Sequence, residues 1–292
     1  MLFLSFAGVG HDLAVALIEG DAQSEPQVLS EERLDFAGMT SERQGTVSSL
    51  IPTIDKLFKE AGRSKSQLQA LIVGTGPGGF TAVRVLLVTA RTLAQVMALP
   101  LIGINALEGS ALQMAERDHG DSLAQAGGKL RLCIIKEASK THCYAALYSI
   151  SRLGNRAGAL LDLKVEPGDL EPSYWTLSET LTFLKELEEL QEGKLGCTVY
   201  ADAGALTKLR QFAHESYESY ESYESCLAPV RIIDDPLHPV KNMAVTQAKL
   251  GILRLSLSKE SFLDYMKVEP LYLRGASVTL KKDGVVQRVE SH

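Results

Sequence analysis

The chain has 292 residues, 45% of them hydrophobic, which is enough for a substantial core and favours two domains over one. With 36 Asp and Glu against 30 Lys and Arg it is mildly acidic, so it lacks the charge of a self-sufficient nucleic-acid binder. Any RNA contact would draw on a partner or on a local basic patch. Cys133, Cys143, Cys197 and Cys226 show no Cys-x-x-Cys spacing, which argues against a zinc site or a disulfide framework and fits a reducing compartment. The apolar N-terminus has no basic residue ahead of it and reads as a strand, and no run approaches the ~18 apolar residues of a membrane span. A soluble, cytoplasmic protein without membrane association is the expectation.

In chain order, LFLSF, LAVALIE and QVLSEERL are three short strands separated by turn residues, a meander. SERQ at 41–44 has capping-box spacing, and a helix is predicted from about Thr46 to Ala61, stopped by Gly62. QALIVG is a buried strand, 79–98 a long helix, PLIGI a strand and Ala106–Arg117 a helix. The order then recurs. LRLCIIK, HCYAALYSI and the weaker LLDLKV are strands, TLSETLTFLKELEEL a helix opened by Thr176 and Glu179, and CTVYA a strand. A short helix from Gly204 to His214, the strand PVRII and a helix from Val245 to Leu257 follow. A duplicated β-β-β-α-β-α unit implies an α/β fold in two lobes, with parallel strands under helices. The tandem SYESYESYE at 216–224 reads as a solvated loop, with a base-stacking tyrosine platform as the weaker alternative. The tail from 268 onward reads as an extended surface segment.

Gly74, Gly76 and Gly79 satisfy G-x-G-x-x-G between a strand and a helix. A nicotinamide site is nevertheless disfavoured, because Pro77 interrupts the amide-lined turn and the next strand, ending in Asn105, offers no ribose-binding acid. A P-loop fails as well, since Phe80 stands where lysine is needed. The bland reading is that the glycines only permit a tight reversal. In the helix that follows, Val83, Leu86, Ala90, Leu93 and Met97 form the stripe expected to face the sheet. Phe80, Val85, Leu87, Val88 and Val96 lie off it, with Arg84 and Arg91 two turns apart around Leu87. Such a helix is buried on more than one side. Two readings stay open: the chain's own helix 46–61 covers the second flank, or another polypeptide does, with leucine as anchor and arginines at the rim.

GTGPGGFTAVRVLLVTARTLA at 74–94 resembles the G-x-GPGSFTG-x-R-x-G segment of the TsaB (YeaZ) family, the partner subunit in bacterial synthesis of threonylcarbamoyladenosine in tRNA, within the glycoprotease-like group. PLIGINAL, EASKTHCYAALY at 137–148 and EPLYLRGASVTLKK resemble further family segments, so the likeness covers both halves. It implies an actin-like, sugar-kinase-like ATPase (ASKHA) fold. It also implies Gly74, Gly76, Pro77, Gly78, Gly79 and Thr81 as the family glycine loop. Where active members of that superfold carry a metal-holding acid after the first strand, this chain has Ala7 and Gly8, and a methyl group cannot ligate Mg²⁺. Glu137 and His142 replace the Asp and Glu of the family's second motif.

The expectation is a non-catalytic subunit with a degenerate site, no metal and no tightly held nucleotide, ATP or ADP with Mg²⁺ lying at most at a subunit junction. It would dock on a TsaD-like catalytic subunit, alongside a TsaE-like ATPase, and pair with itself when alone. tRNA would be met only through the complex. Ile54, Phe58, Phe80, Arg84, Leu87, Val88 and Arg91 are the expected partner contacts. The alternatives are an active ATP-dependent phosphotransferase of the same superfold and, less well supported, an NAD-dependent oxidoreductase. The lobes are expected at 1–106 plus 242–260 and at 107–241, with 261–292 an extended tail. His142 and Cys143 alternate on one strand and cannot form a nucleophile–base pair, and Asp234 and Asp235 before Pro236 read as a solvated turn.

Overall fold

The computed structural model describes the chain apart from residues 10–11, 23, 36–41, 121–128, 153–162, 169, 192–196, 217–220, 235–241, 258–261, 274–276, 283–284 and 291–292. The first unit comprises β1 (Leu2–Val9), β2 (Asp12–Glu19), β3 (Gln27–Asp35), α1 (Glu42–Glu60), β4 (Leu68–Gly74), α2 (Phe80–Met97), β5 (Leu101–Ile104) and α3 (Ala106–Asp118). The second comprises β6 (Lys129–Glu137), β7 (His142–Arg152), β8 (Leu163–Pro167), β9 (Ser173–Thr176), α4 (Leu177–Gln191), β10 (Cys197–Ala201), α5 (Ala203–Ser216), α6 (Glu221–Leu227), β11 (Arg231–Ile232) and α7 (Met243–Leu257). A hairpin of β12 (Ser277–Lys282) and β13 (Val285–Glu290) follows.

The two sheets have the same wiring. The first runs β3-β2-β1-β4-β5 and the second β8-β7-β6-β10-β11, with β9 added beside β7. In each, the three meander strands are antiparallel and the next two join parallel. The duplication read from the sequence is therefore present strand for strand.

Alternation along the strands explains the layering, because successive side chains point to opposite faces. On β1, Leu2, Leu4 and Phe6 join α1 and α2 in one core, while Phe3 and Ala7 face α3 and α7. On β6, Leu132 and Ile134 face that same central core, and Cys133 and Ile135 face the core formed with α4, α5 and α6. The result is five layers, helices outside each sheet and α3 with α7 between them. The inner helices are exchanged. α3 closes the first unit but packs on β6, β7 and β8, whereas α7 closes the second and packs on β1, β2, β4 and β5. Gly109 on α3 permits their close crossing, since a Cβ there would lie 2.9 Å from Met243 Sδ.

Two ion pairs pin the crossing. Arg254 of α7 donates to both carboxylate oxygens of Glu108 on α3, at 2.6 and 2.7 Å, and to Gly103 O at 2.7 Å. Buried Lys249 of α7 meets Glu116 of α3 at 2.9 Å and Glu25 at 2.7 Å. Burial pushes the Glu108 carboxyl up, and Arg254 pulls it back.

Several local expectations are corrected. α1 begins at Glu42 rather than near Thr46; the expected cap Ser41 lies outside the described residues. The strand β9 was not anticipated. The second part of the SYE repeat is helical, as α6, and not a loop. Its tyrosine is taken up within the chain, with Lys185 Nζ 4.1 Å above the Tyr223 ring, while Cys226 and Leu227 sink into the core. Tyr217 and Tyr220 lie outside the described residues. Beyond the extended segment expected, the tail folds into the β12–β13 hairpin. The Thr176–Glu179 cap is present in both directions: Glu179 Oε2 accepts from Thr176 N at 2.8 Å, and Glu179 N donates to Thr176 Oγ1 at 3.2 Å.

Candidate functional site

The glycine loop is a junction of main chain. Thr75 N donates to Ile104 O at 2.9 Å, Ala106 N to Gly76 O at 2.7 Å and Leu271 N to Thr75 O at 2.8 Å, tying β4 to β5, α3 and the tail. Gly76 has φ +92°, a left-handed conformation that needs glycine, and the following peptide to Pro77 is cis. Gly79 caps α2 without a side-chain hydrogen bond, and Val83 N returns to Gly79 O at 3.0 Å. Of Thr81 only its place in the first turn of α2 is described. Gly74 is pressed against Gln247 of α7, whose amide nitrogen would lie 3.0 Å from a Cβ there. That amide is fully buried with neither atom bonded to a described residue, an environment suited to a bound water. Sequence reasoning missed Gln247, because nothing local to 243–257 says that it will face this loop.

The second unit has a counterpart loop at 201–205, and its chemistry is opposite. Asp202 caps α5, accepting from Ala205 N at 2.7 Å and from Glu137 N at 2.9 Å, and Asp234 accepts from Ala203 N at 3.0 Å. Asp234 thus sits in the expected turn but also caps a helix. Gly204 is so close to Glu137 that a Cβ would lie 1.9 Å from Oε2. Lys208 reaches Glu137 and donates to Ser139 O at 2.9 Å. Burial raises the Asp202 carboxyl and lowers the Lys136 ammonium. Three carboxylates, Asp202, Asp234 and Glu137, thus already gather at the start of α5, with Lys136 and Lys208 beside them.

A nucleotide with Mg²⁺, as the actin-like superfold would hold, finds a poor donor set at β1. Ala7 is fully buried and pairs with Ala14, offering no oxygen. Among the described residues no three His, Cys, Asp or Glu side chains are grouped to hold a metal. The cysteines are all buried; burial pushes the Cys143 thiol up to about 12 and those of Cys197 and Cys226 to about 11. His142 stacks on Tyr174 with ring centroids 4.3 Å apart, and Cys143 points to the opposite core, as their adjacency required. Asn105, considered against a dinucleotide site, caps α3 by accepting from Leu107 N at 2.8 Å.

The expected partner contacts do not form one exposed patch. Ile54 and Phe58 of α1 and Leu87 of α2 are buried together in the chain's own core, so the anchor expected at Leu87 is occupied from within. Arg84 Nε donates to the Tyr272 hydroxyl at 2.7 Å with its guanidinium above that ring, and Arg91 donates to Val268 O at 2.6 Å and to Met266 O at 3.2 Å. The arginines therefore hold the segment 265–272 against α2 rather than rimming an open face. Of Phe80 only its place in α2 is described. Some apolar surface remains outside nonetheless: Val88 is 62% exposed and Val96 79%, with Ile51 of α1 at 47%, among exposed Thr92 and Gln95. Val88, Thr92 and Val96 recur every four residues, one stripe along α2.

The duplicated wiring and the exchanged inner helices define a two-lobed α/β protein of the actin-like, sugar-kinase-like class. Residues 43–154 match the family model described as TsaD: tRNA N6-adenosine threonylcarbamoyltransferase. A protein of that name from Bdellovibrio bacteriovorus is 34% identical over 113 residues, 37% of this chain and 32% of the relative. Another from Afipia carboxidovorans is 33% identical over 121 residues, 38% of this chain and 34% of the relative. The chain thus spans about a third of the length of these curated relatives. Among solved structures, YeaZ from Pseudomonas aeruginosa superposes with a TM-score of 0.58 at 12% identity, covering 93% of this chain and all of that one. The resemblance read from the sequence is borne out: the chain has the YeaZ (TsaB) fold along nearly its whole length and carries a TsaD-like segment in its first half. No helix among the described residues is long and apolar enough to cross a membrane.

Proposed function

We propose that the chain serves the synthesis of N6-threonylcarbamoyladenosine in tRNA as a non-catalytic subunit, docking on a TsaD-like catalytic partner through the outer face of α1 and α2. The observation that carries this reading is the exposed apolar stripe of Val88 and Val96, beside α1 in a chain of YeaZ fold. Isolated exposed apolar residues are ordinary, but a repeated stripe on a helix whose other flanks are already packed suits a partner helix. The alanine at position 7 supports a supporting role over a catalytic one. In the same reading the free chain pairs with itself through this stripe, a TsaE-like ATPase joins the assembly, tRNA is met only through the complex, and ATP or ADP with Mg²⁺ sits at the subunit junction.

Val88→Glu tests it. The charge stands in water in the single protomer, so the protomer's own folding stability should change by less than about 0.5 kcal/mol. Co-purification with a tagged TsaD-like subunit should be lost; retained co-purification rejects the face. Leu87→Glu is unsuitable, because that side chain is 2% exposed and the variant would fail through its core. A second reading, catalysis by the chain itself, draws on the transferase names of its relatives. Tight Mg-ATP binding by the isolated chain in titration calorimetry, with turnover, would favour it.

A further inference from the structure

α4 presents two faces. Leu177, Leu181 and Leu184 are buried in the outer core of the second sheet. Glu179, Thr182, Phe183, Glu186 and Leu187, at i, i+3, i+4, i+7 and i+8, line a cavity of about 590 Å³, within the range of small-molecule sites. Leu147 of β7 and Trp175 of β9 line it as well, and the Trp175 and Phe183 rings meet edge to face with centroids 5.0 Å apart. The charge in this lining is two carboxylates against one guanidinium, that of Arg131. Arg131 already has a partner within the chain. Glu179 Oε2 accepts from Thr176 N and Oγ1, both at 2.8 Å, and the backbone hydrogen bond holds its carboxyl below the ordinary value, so it stays charged. Glu186 is exposed, and among the described residues it takes part in no hydrogen bond or ion pair.

We propose that this cavity binds a flat aromatic molecule carrying one positive charge, its rings against Trp175 and Phe183 and its cation at Glu186. Aromatic rings pair offset or edge to face, and the face of an indole or benzene ring also attracts a cation. Glu186 supplies the opposing charge, whereas an anion would meet two carboxylates and an arginine that is already engaged. The site shares no residue with the glycine loop or the α1–α2 face, so it stands whether or not the chain docks on a TsaD-like partner.

Trp175 is the chain's sole tryptophan, so its emission reports the cavity directly. The experiment titrates the full chain with thioflavin T, a flat benzothiazolium cation, and with its uncharged counterpart 2-(4-dimethylaminophenyl)-6-methylbenzothiazole, following tryptophan quenching. Saturable one-site quenching by both is expected, with the cation bound about fivefold more tightly, the scale of one solvent-exposed ion pair. Raised salt should shrink that preference. Glu186→Gln, at an exposed position that folding does not depend on, should remove the preference and leave the uncharged probe unaffected. Thr182→Phe, at another exposed position of α4 on the lining, should abolish binding of both by filling the opening. The proposal is overturned by absence of saturable quenching, by equal binding of the two probes to the parent chain, by a cation preference that survives Glu186→Gln, or by binding unaltered in Thr182→Phe.

Discussion

β3-β2-β1-β4-β5 and β8-β7-β6-β10-β11 share order and direction, yet the loops at the ends of their central parallel strands have opposite character. After β4, glycines and a proline bring main chain from β5, α3 and the tail together without a charged side chain. After β10, Asp202, Asp234 and Glu137 crowd the start of α5. The outer helices differ too, α1 packing on β2 and β3 and α4 on β7, β9, α5 and α6. Wiring is held by many buried alternating residues and survives drift at most of them. A surface is set by few residues and changes with each.

The largest expected effect tests whether the second outer layer is looser. Leu57 of α1 and Leu184 of α4 are both buried, at 0% and 2% exposure. Truncation to alanine in such sites costs about 2–5 kcal/mol, depending on how far the surroundings collapse. Leu57→Ala should fall at the upper end and Leu184→Ala at the lower, by urea unfolding, because α4 has room to move; equal losses would break the contrast. Next comes the joint between the halves. Glu116→Gln removes a charged partner of buried Lys249 and leaves only the half-exposed Glu25, so a loss of about 3 kcal/mol is expected. Melting of the two halves in separate transitions would show that this joint carries their cooperativity. Thr176→Ala removes the cap of α4 and should cost about 1 kcal/mol by thermal unfolding.

The smallest effect is a pH dependence confined to the second half. His119 has its pKa lowered by burial and by Arg231, with Asp118 opposing. The unfolded chain therefore binds the proton more readily. Stability from this group is complete above its ordinary pKa of about 6.5 and is lost as pH falls toward the lower folded value. The melting temperature should drop through that window, and His119→Gln, which can still reach the Tyr200 hydroxyl now 3.0 Å from Nε2, should flatten the drop.

Much of the fold was legible because periodicity reports directly on burial. The meanders, the helix order and the repeat followed from alternation and from turn residues, and the glycine loop stood out by composition. Leu87 shows where that legibility ends. Its spacing revealed a second apolar flank on α2, but the same spacing serves a helix of the same chain or of another, and only the tertiary structure buries it in one core with Ile54 and Phe58. Arg84 and Arg91 read as an interface rim; their acceptors lie some 180 residues away in the tail, at Tyr272, Val268 and Met266. The SYE repeat looked solvated by composition, and tertiary contact to Lys185 and the core made part of it helical.

By itself the sequence determined where most strands and helices fall to within a few residues and that β1 ends without an acid, since these depend on neighbours along the chain. The tertiary structure alone decided that Gln247 comes to rest under Gly74 and that a cavity opens between α4, β7 and β9. Those arrangements rest on contacts between residues far apart in the chain, whose packing no local pattern encodes.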